Sequence, residues 1–129
     1  MKRLTAEKTF ENMESVSLPI DEITPASMYE QLPDDEKLRP DMEKGILKYP
    51  LLCFKTDQRY WKNNHLLLYK SSNPDLPETA PEHEGDVYVV WSGRQRYQLA
   101  KELGYTHVDC VTVDDFFKLV KLAGKFKKL

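Results

Sequence analysis

The chain has 129 residues, which is enough for one domain with a buried core and too few for two. Its 19 basic and 21 acidic residues leave a formal net charge of −2, so its overall charge excludes a protein that gathers nucleic acid by bulk attraction. The balance is uneven, because residues 116–129 hold five lysines and no acid, which leaves residues 1–115 with 14 bases, 21 acids and a charge of −7.

Two features of the sequence indicate a cytoplasmic protein. No apolar stretch approaches the ~20 residues that a membrane-spanning helix needs, and the first residues lack the apolar core of a secretory signal peptide. Cys53 and Cys110 both lie in apolar, strand-like runs, which is typical of buried, reduced thiols rather than of a disulfide. The sequence therefore predicts a cytoplasmic location and two free cysteines.

The first half of the chain predicts short elements interrupted by prolines. Residues 1–14 are polar and predict a flexible segment or a short helix. Residues 15–20 alternate apolar and polar side chains, as a strand does, and a proline near their end favours the edge of a sheet. A helical turn is predicted within residues 21–33, a helix over 40–48 behind its initial proline, and a strand at 50–54.

A long insertion is predicted at about residues 57–86. It contains an apolar run at 65–70, which predicts a strand, and a proline-rich, acidic stretch at 71–85, which predicts an exposed loop. Residues 82–86 include types that bind metals, but they lack the spacing of a defined zinc or calcium site. We therefore predict a solvated acidic loop and no metal site.

The last third of the chain has the clearest pattern. An apolar run at 87–91 predicts a buried strand, residues 94–103 a helix and residues 107–113 another strand. A strand, a helix and a strand in close succession predict a compact unit whose two strands are parallel and joined by a right-handed crossover. Asp114 or Asp115 is placed to cap a final helix.

The sequence Ser-Gly-Arg-Gln-Arg, which opens the helix, combines features that suit an anion. Ser92 fits the N-cap, Gln95 completes a capping box, and Gly93 lets a ligand approach the backbone closely. Arg94 and Arg96 lie where the helix dipole is already positive, so they indicate a bound phosphate. Because successive residues diverge by ~100°, one arginine is expected at the phosphate and the other at a carboxylate. The alternative is a well-capped helix whose arginines bridge surface acids.

Three segments carry a resemblance to a known family. Residues 93–97, followed by 100–104, resemble the second nucleotide-contact motif of the ParB-like family, which shares its fold with sulfiredoxin. The stretch 45–52 is similar to the other contact motif of that family, and 16–23 resembles its opening strand. The resemblance implies an α+β domain over residues 15–129, with a small mixed sheet and flanking helices.

Departures from the family pattern limit which activities the resemblance implies. Arg94 stands where sulfiredoxins place a catalytic cysteine and where ParB-like proteins have glutamate, so sulfiredoxin activity is not expected. Gln95 replaces one arginine of the motif, and Tyr49 replaces the glutamine before Pro50. The sequence shows neither the third, Glu-Asn-containing motif nor a helix-turn-helix domain, so chromosome partitioning is not implied.

What the resemblance implies is a nucleotide- or phosphate-binding domain that acts in nucleic-acid-related processes. The implied ligand is a nucleoside triphosphate with Mg²⁺. Small stand-alone proteins of this type are often encoded by bacteriophages, which implies a phage origin and the host cytoplasm as location. The predicted binding residues are Gly45, Tyr49, Pro50, Ser92, Gly93, Arg94, Gln95 and Arg96.

The C-terminal helix, predicted over residues 116–129, leaves a second function open. It carries a row of lysines at 3-4-3 spacing, which forms either a solvated face or a contact with DNA or an acidic protein partner. In the second case the protein is a non-catalytic DNA-binding or adaptor module. The lysine row consists of Lys118, Lys121, Lys125 and Lys128.

A metal-dependent ParB-like nuclease is the remaining alternative. It requires a cluster of acids that the sequence does not identify, and whether the protein is an enzyme at all stays open. If it is one, it is a nucleotide hydrolase, a phosphotransferase or a nuclease, with unassigned catalytic residues. The candidate general bases are Asp21, Glu22 and Asp41.

Overall fold

One mixed sheet and three α-helices make up the described residues, 2–25, 36–57 and 86–129 of this computed structural model. The strands are β1 (Arg3–Leu4), β2 (Val16–Pro19), β3 (Ile23–Pro25), β4 (Leu51–Asp57), β5 (Asp86–Ser92) and β6 (His107–Val113). The helices are α1 (Leu38–Glu43), α2 (Arg94–Glu102) and α3 (Phe116–Phe126), and a 3₁₀ turn covers Ile20–Glu22. The predicted α+β architecture is confirmed. Within these ranges, no helix has the length and apolar character needed to cross a membrane.

Strand β4 lies at the centre of the sheet. It pairs in parallel with β6, where Leu51 lies opposite Cys110, and antiparallel with β5, where Leu52 lies opposite Ser92. β3 adds to the far side of β5 in parallel. β1 and β2 pair with the same two residues of β6, so they flank it on opposite sides. This register places the end of β5 beside the beginning of β4.

The predicted parallel strand–helix–strand unit is wrong in its strand pairing. β4 lies between β5 and β6 and is antiparallel to one and parallel to the other, so β5 and β6 run in opposite directions. The physical reason is burial: Leu51–Phe54 is apolar on both faces and at most 3% exposed, so it occupies the central position. The pattern of residues 87–113 contains no information about a strand that enters from earlier in the chain.

The N-terminal segment, predicted at 1–14 to be flexible or a short helix, packs onto the sheet from residue 2 onward. It forms β1, and the amide of Ala6 donates a hydrogen bond of 2.9 Å to the carboxylate of Asp109 in β6. Leu4 and Phe10 are only 1% and 2% exposed. Two buried apolar side chains therefore outweigh the polar composition of the segment.

The ends of other predicted elements are shifted. The helix expected over 40–48 begins two residues earlier and ends sooner, because Gly45 adopts a left-handed conformation with φ of 79°. The predicted strand at 65–70 and loop at 71–85 lie outside the described residues. Of the helical turn expected within 21–33, the described part is the 3₁₀ turn, which leads directly into β3.

The sheet separates two apolar clusters, because alternate residues of a strand point to opposite faces. Cys53 and Cys110 belong to the cluster that α1 and α2 cover. Leu52 and Val111, their neighbours in sequence, belong to the cluster that α3 covers. The helices therefore enclose the sheet from both sides, and α2 and α3 lie on opposite faces of it.

Helix α3 is fixed by its cap and by one apolar side. Asp115 is the N-cap, as one of the two predicted aspartates, and its Oδ1 accepts a hydrogen bond of 2.9 Å from the amide of Phe117. The buried side chains that pack on the sheet have 3-4 spacing, as one side of a helix does. The packed side chains are Leu119, Leu122 and Phe126.

Cys53 and Cys110 are free, buried neighbours on β4 and β6, as the sequence predicts. A hydrogen bond with Cys53, together with burial, raises the pKa of the Cys110 thiol well above its usual range. Burial also raises the pKa of Tyr97, whose hydroxyl donates a hydrogen bond of 3.0 Å to the carbonyl of Ile23. Both groups are therefore held in their neutral forms.

The buried Cys110 thiol is expected to make the free energy of unfolding fall at alkaline pH. In the unfolded chain Cys110 ionises near pH 8.5, whereas the folded protein keeps its proton, so stability is retained below that pH and falls as pH rises above it. We expect a loss of about 1–2 kcal/mol between pH 8.5 and 10, measured by urea unfolding. Cys110→Ala removes this part of the slope, and an unchanged slope in that variant would contradict the assignment.

Candidate functional site

A single residue, Gly93, turns the chain from β5 into α2. Its φ of 89° lies in the left-handed region, and its carbonyl accepts the first intrahelical hydrogen bond, 2.9 Å from the amide of Tyr97. The predicted capping box of Ser92 and Gln95 is wrong, because Ser92 is still paired in β5 and Gly93 occupies the N-cap. Ser92 therefore ends β5 and makes no capping hydrogen bond to α2.

Gly93 is also required by packing. A Cβ atom at this position would lie 2.6 Å from Cδ2 of Leu51, the fully buried first residue of β4. The sequence suggests that the glycine admits a ligand to the backbone, but the contact that the structure gives it is with the core. The turn is thus held rigidly against β4, and the first amide groups of α2 project from that fixed end.

Two adjoining cavities open beside this turn. The first, of about 390 Å³, lies at the start of α2; its described lining residues are Trp91, Ser92, Gly93, Arg94, Gln95, Arg96, Phe126 and Lys127. The second, of about 590 Å³, continues along α3; its described lining residues are Trp91, Ser92, Arg94, Val120, Ala123, Gly124 and Lys127. The residues common to both show that they form one groove between the β5–α2 turn and α3.

Both arginines of the turn line the same cavity. The sequence predicts that Arg94 and Arg96 face apart, but the first cavity extends around the whole first turn of α2 and reaches both. Lys127 adds a third cation from the end of α3. Among the described lining residues of the groove there are three cations and no acid, so its electrostatic potential favours an anion.

Lys127 is the residue that sequence reasoning missed. It falls outside the 3-4-3 row, yet it lies across the groove from Arg94, whereas the four lysines of the row are exposed and line neither cavity. One of them, Lys125, pairs with Glu11 through an Nζ–Oε2 distance of 3.2 Å. Helical spacing places Lys127 on the other side of α3 from the row, but only the packing of α3 beside β5 shows what that side faces.

The predicted opposite wall, Gly45 to Pro50, is not among the described lining residues of either cavity. Gly45 ends α1, and the ring of Tyr49 has the ammonium groups of Lys48 and Lys8 at 5.7 and 6.0 Å from its centroid. Pro50 is buried and leads into Leu51, which packs against Gly93. This segment therefore leads into the residue that packs against the turn.

The carboxylates considered as general bases lie elsewhere as well. Asp21 and Glu22 are in the 3₁₀ turn and Asp41 is in α1, and none of them is among the described lining residues. Glu102, a surface acid at the end of α2, accepts a hydrogen bond of 2.8 Å from Arg39. Among residues 2–25, 36–57 and 86–129, no three histidines, cysteines or acids group as a metal site would require.

No protein-family model matches the sequence, and no curated protein is significantly similar to it. Among solved structures, the chain is similar to sulfiredoxin from Arabidopsis thaliana, with 18% identity, a TM-score of 0.48, and coverage of 84% of this chain and 93% of that one. It is also similar to the C-terminally truncated chromosome-partitioning protein ParB from Caulobacter crescentus in complex with CTP-γ-S, with 16% identity and a TM-score of 0.48.

The ParB match covers 90% of this chain and 53% of that one, so the chain spans about half the length of that ParB chain. These are the two kinds of protein that the sequence resemblance names. The likeness concerns the fold, and at such identities it assigns no role to any residue of this chain. The case for a binding site therefore rests on the groove itself.

Proposed function

We propose that the groove beside the β5–α2 turn binds the phosphate groups of a nucleotide. The observation that carries this proposal is the meeting of Arg94, Arg96 and Lys127 on one cavity at the positive end of α2, with no acid among the described lining residues. Guanidinium groups and first-turn amides are the donors that phosphate oxygens accept most favourably. Gly93 and Ser92 complete the proposed contact set, because they line the same cavity.

The lining residues of the groove suit phosphate groups better than they suit a metal ion. Three cations line the groove, and none of the described lining residues is a carboxylate that would hold Mg²⁺. A role for Mg²⁺ with a nucleoside triphosphate, and for Gly45, Tyr49 and Pro50 as contacts, stays a prediction. So does the setting that the resemblance implies, nucleic-acid processes of a bacteriophage in its host.

A thermal-shift panel tests the proposal. Nucleoside triphosphates, nucleosides and inorganic tripolyphosphate are compared with and without Mg²⁺, and a ligand at 100 times its Kd stabilises the fold by about 2.7 kcal/mol. We expect stabilisation by the phosphorylated compounds and none by nucleosides. Arg96→Ala removes charge-assisted hydrogen bonds of about 1.5–3 kcal/mol, so affinity falls roughly 10- to 150-fold.

The matched control is Lys121→Ala, which removes one positive charge from an exposed position outside the groove. It is expected to reduce affinity less than twofold at 150 mM salt, because the Debye length there is about 8 Å. The proposal is wrong if no phosphorylated compound stabilises the protein at millimolar concentration. It is also wrong if the Arg96 and Lys121 variants lose affinity equally.

A further inference from the structure

Helix α3 exposes an apolar strip, two of whose residues, Val120 and Gly124, also line the second cavity of the groove. Phe117 is 86% exposed and Val120 is 51% exposed, although the same helix buries Leu119 completely. Gly124 continues the strip, and a Cβ atom there would meet no heavy atom within 4 Å. We call Phe117, Val120 and Gly124 the outer strip. Its ends are seven residues apart, which on a helix is about 10 Å.

The outer strip has cations on both borders. At 100° per residue, Phe117, Gly124 and Val120 occupy one sector of the helix, and the lysine row occupies the sector next to Phe117. On the other border lie Lys127 and, across the groove, Arg94. Residues 116–129 contain no acid, so the borders stay positive although Lys125 pairs with Glu11.

We propose that the outer strip is a docking surface for an acidic amphipathic peptide segment of a protein partner. Apolar side chains of the segment would cover Phe117 and Val120, and carboxylates on either side of them would meet the two cationic borders. An exposed phenylalanine gains free energy only when apolar surface covers it. This inference rests on the orientation of α3 and not on phosphate binding in the groove.

Two other occupants fit the surface less well. Nucleic acid satisfies the lysines through its phosphates and could stack one base on Phe117, but Val120 and Gly124 offer no further aromatic face for successive bases. A second copy of this chain, docked by a two-fold axis through the strip, would bring the lysine row of one copy close to that of the other. Like charges at such a contact repel.

The test uses the full chain and a synthetic 12-residue peptide with leucines at helical 3-4 spacing, glutamates on both sides and a fluorescent label. Fluorescence anisotropy at 150 mM salt measures its binding. We expect saturable binding that weakens at least tenfold in Phe117→Gln and weakens further with rising salt. A peptide of the same leucine pattern with lysine in place of glutamate is expected not to bind.

Two variants separate docking from folding. Gly124→Gln places a side chain in open space on the strip, so it should stabilise the helix and raise the Tm while it weakens peptide binding. Val16→Gln alters an exposed apolar residue on β2, outside the strip, and should leave binding unchanged. Weakening by Val16→Gln to the same degree as by Phe117→Gln would contradict the inference.

Three further results would overturn the inference. The first is an anisotropy that does not change up to millimolar protein. The second is a single-stranded oligonucleotide that displaces the peptide and binds Phe117→Gln as well as the unaltered protein, which would assign the surface to nucleic acid. The third is sedimentation of the protein as a dimer that Phe117→Gln converts to a monomer, which would assign the strip to self-association.

Discussion

Replacing Gly93 with alanine is expected to lower the free energy of unfolding by about 2–4 kcal/mol. Two costs add. A residue with a side chain is strained by about 1–2 kcal/mol at a φ of 89°. The new Cβ would also lie 2.6 Å from Cδ2 of Leu51, a fully buried side chain that must shift to make room. Thermal or urea unfolding measures the loss, which corresponds to a fall in Tm of roughly 6–16 °C.

Two other glycines separate these costs. Gly104 has a φ of 80° but open space around its Cβ position, so Gly104→Ala should show the strain alone, about 1 kcal/mol. Gly124 lies inside α3 with open space and no positive φ, so Gly124→Ala should stabilise the protein by about 0.5–1 kcal/mol. If Gly93→Ala costs no more than Gly104→Ala, the close contact with Leu51 does not exist as described.

Replacing Leu119 with alanine is expected to cost about 2–5 kcal/mol. Its side chain is completely buried between α3 and the sheet, beside Phe10 and Leu122, and truncation leaves a cavity that the helix cannot close without moving. The measurement is urea unfolding, with no change expected in the denaturant slope. The effect is large because Leu119 is the most deeply buried side chain of α3.

The matched control is the next residue along the helix. Val120 is 51% exposed, so Val120→Ala should change stability by no more than about 0.5 kcal/mol. A contrast of this size between neighbouring positions would establish which side of α3 faces the sheet. That rotation places Lys127 at the groove and the outer strip toward solvent. Equal losses at the two positions would mean that α3 is rotated and that both proposals lose their geometry.

The sequence predicts those parts of the fold that depend on local pattern. The apolar runs that become β4, β5 and β6 are visible because each is bounded by polar or turn residues, and the position of α2 follows from Gly93 and the spacing behind it. Asp115 identifies the start of α3 by the same local logic, because its side chain accepts hydrogen bonds from nearby amides.

What depends on contacts between distant residues could not be predicted. The insertion of β4 between β5 and β6, and the burial of Leu4 and Phe10, are settled by which apolar surfaces fit together in three dimensions. The candidate site shows most clearly what the sequence could not predict. The sequence locates the turn, but it does not show that Lys127 of α3 lines the same cavity, because that depends on how distant parts of the chain pack.

The contact between Gly93 and Leu51 links the fold to the proposed site. It fixes the angle at which α2 leaves the sheet, and with it the positions of Arg94 and Arg96 relative to Lys127. A loosened turn would therefore weaken phosphate binding as well as stability. The packing of the core therefore sets where the cationic side chains of the groove lie.

A titration of ¹⁵N-labelled protein with inorganic tripolyphosphate, followed by amide chemical shifts, tests the central claim most directly. This probe carries the phosphate chemistry without a base, and amide shifts report where it binds. We predict saturable shifts concentrated at residues 92–97 and around Lys127, and their loss in Arg96→Ala. An absence of shifts at millimolar tripolyphosphate, or shifts centred on Lys118, Lys121 and Lys125, would contradict phosphate binding in this groove.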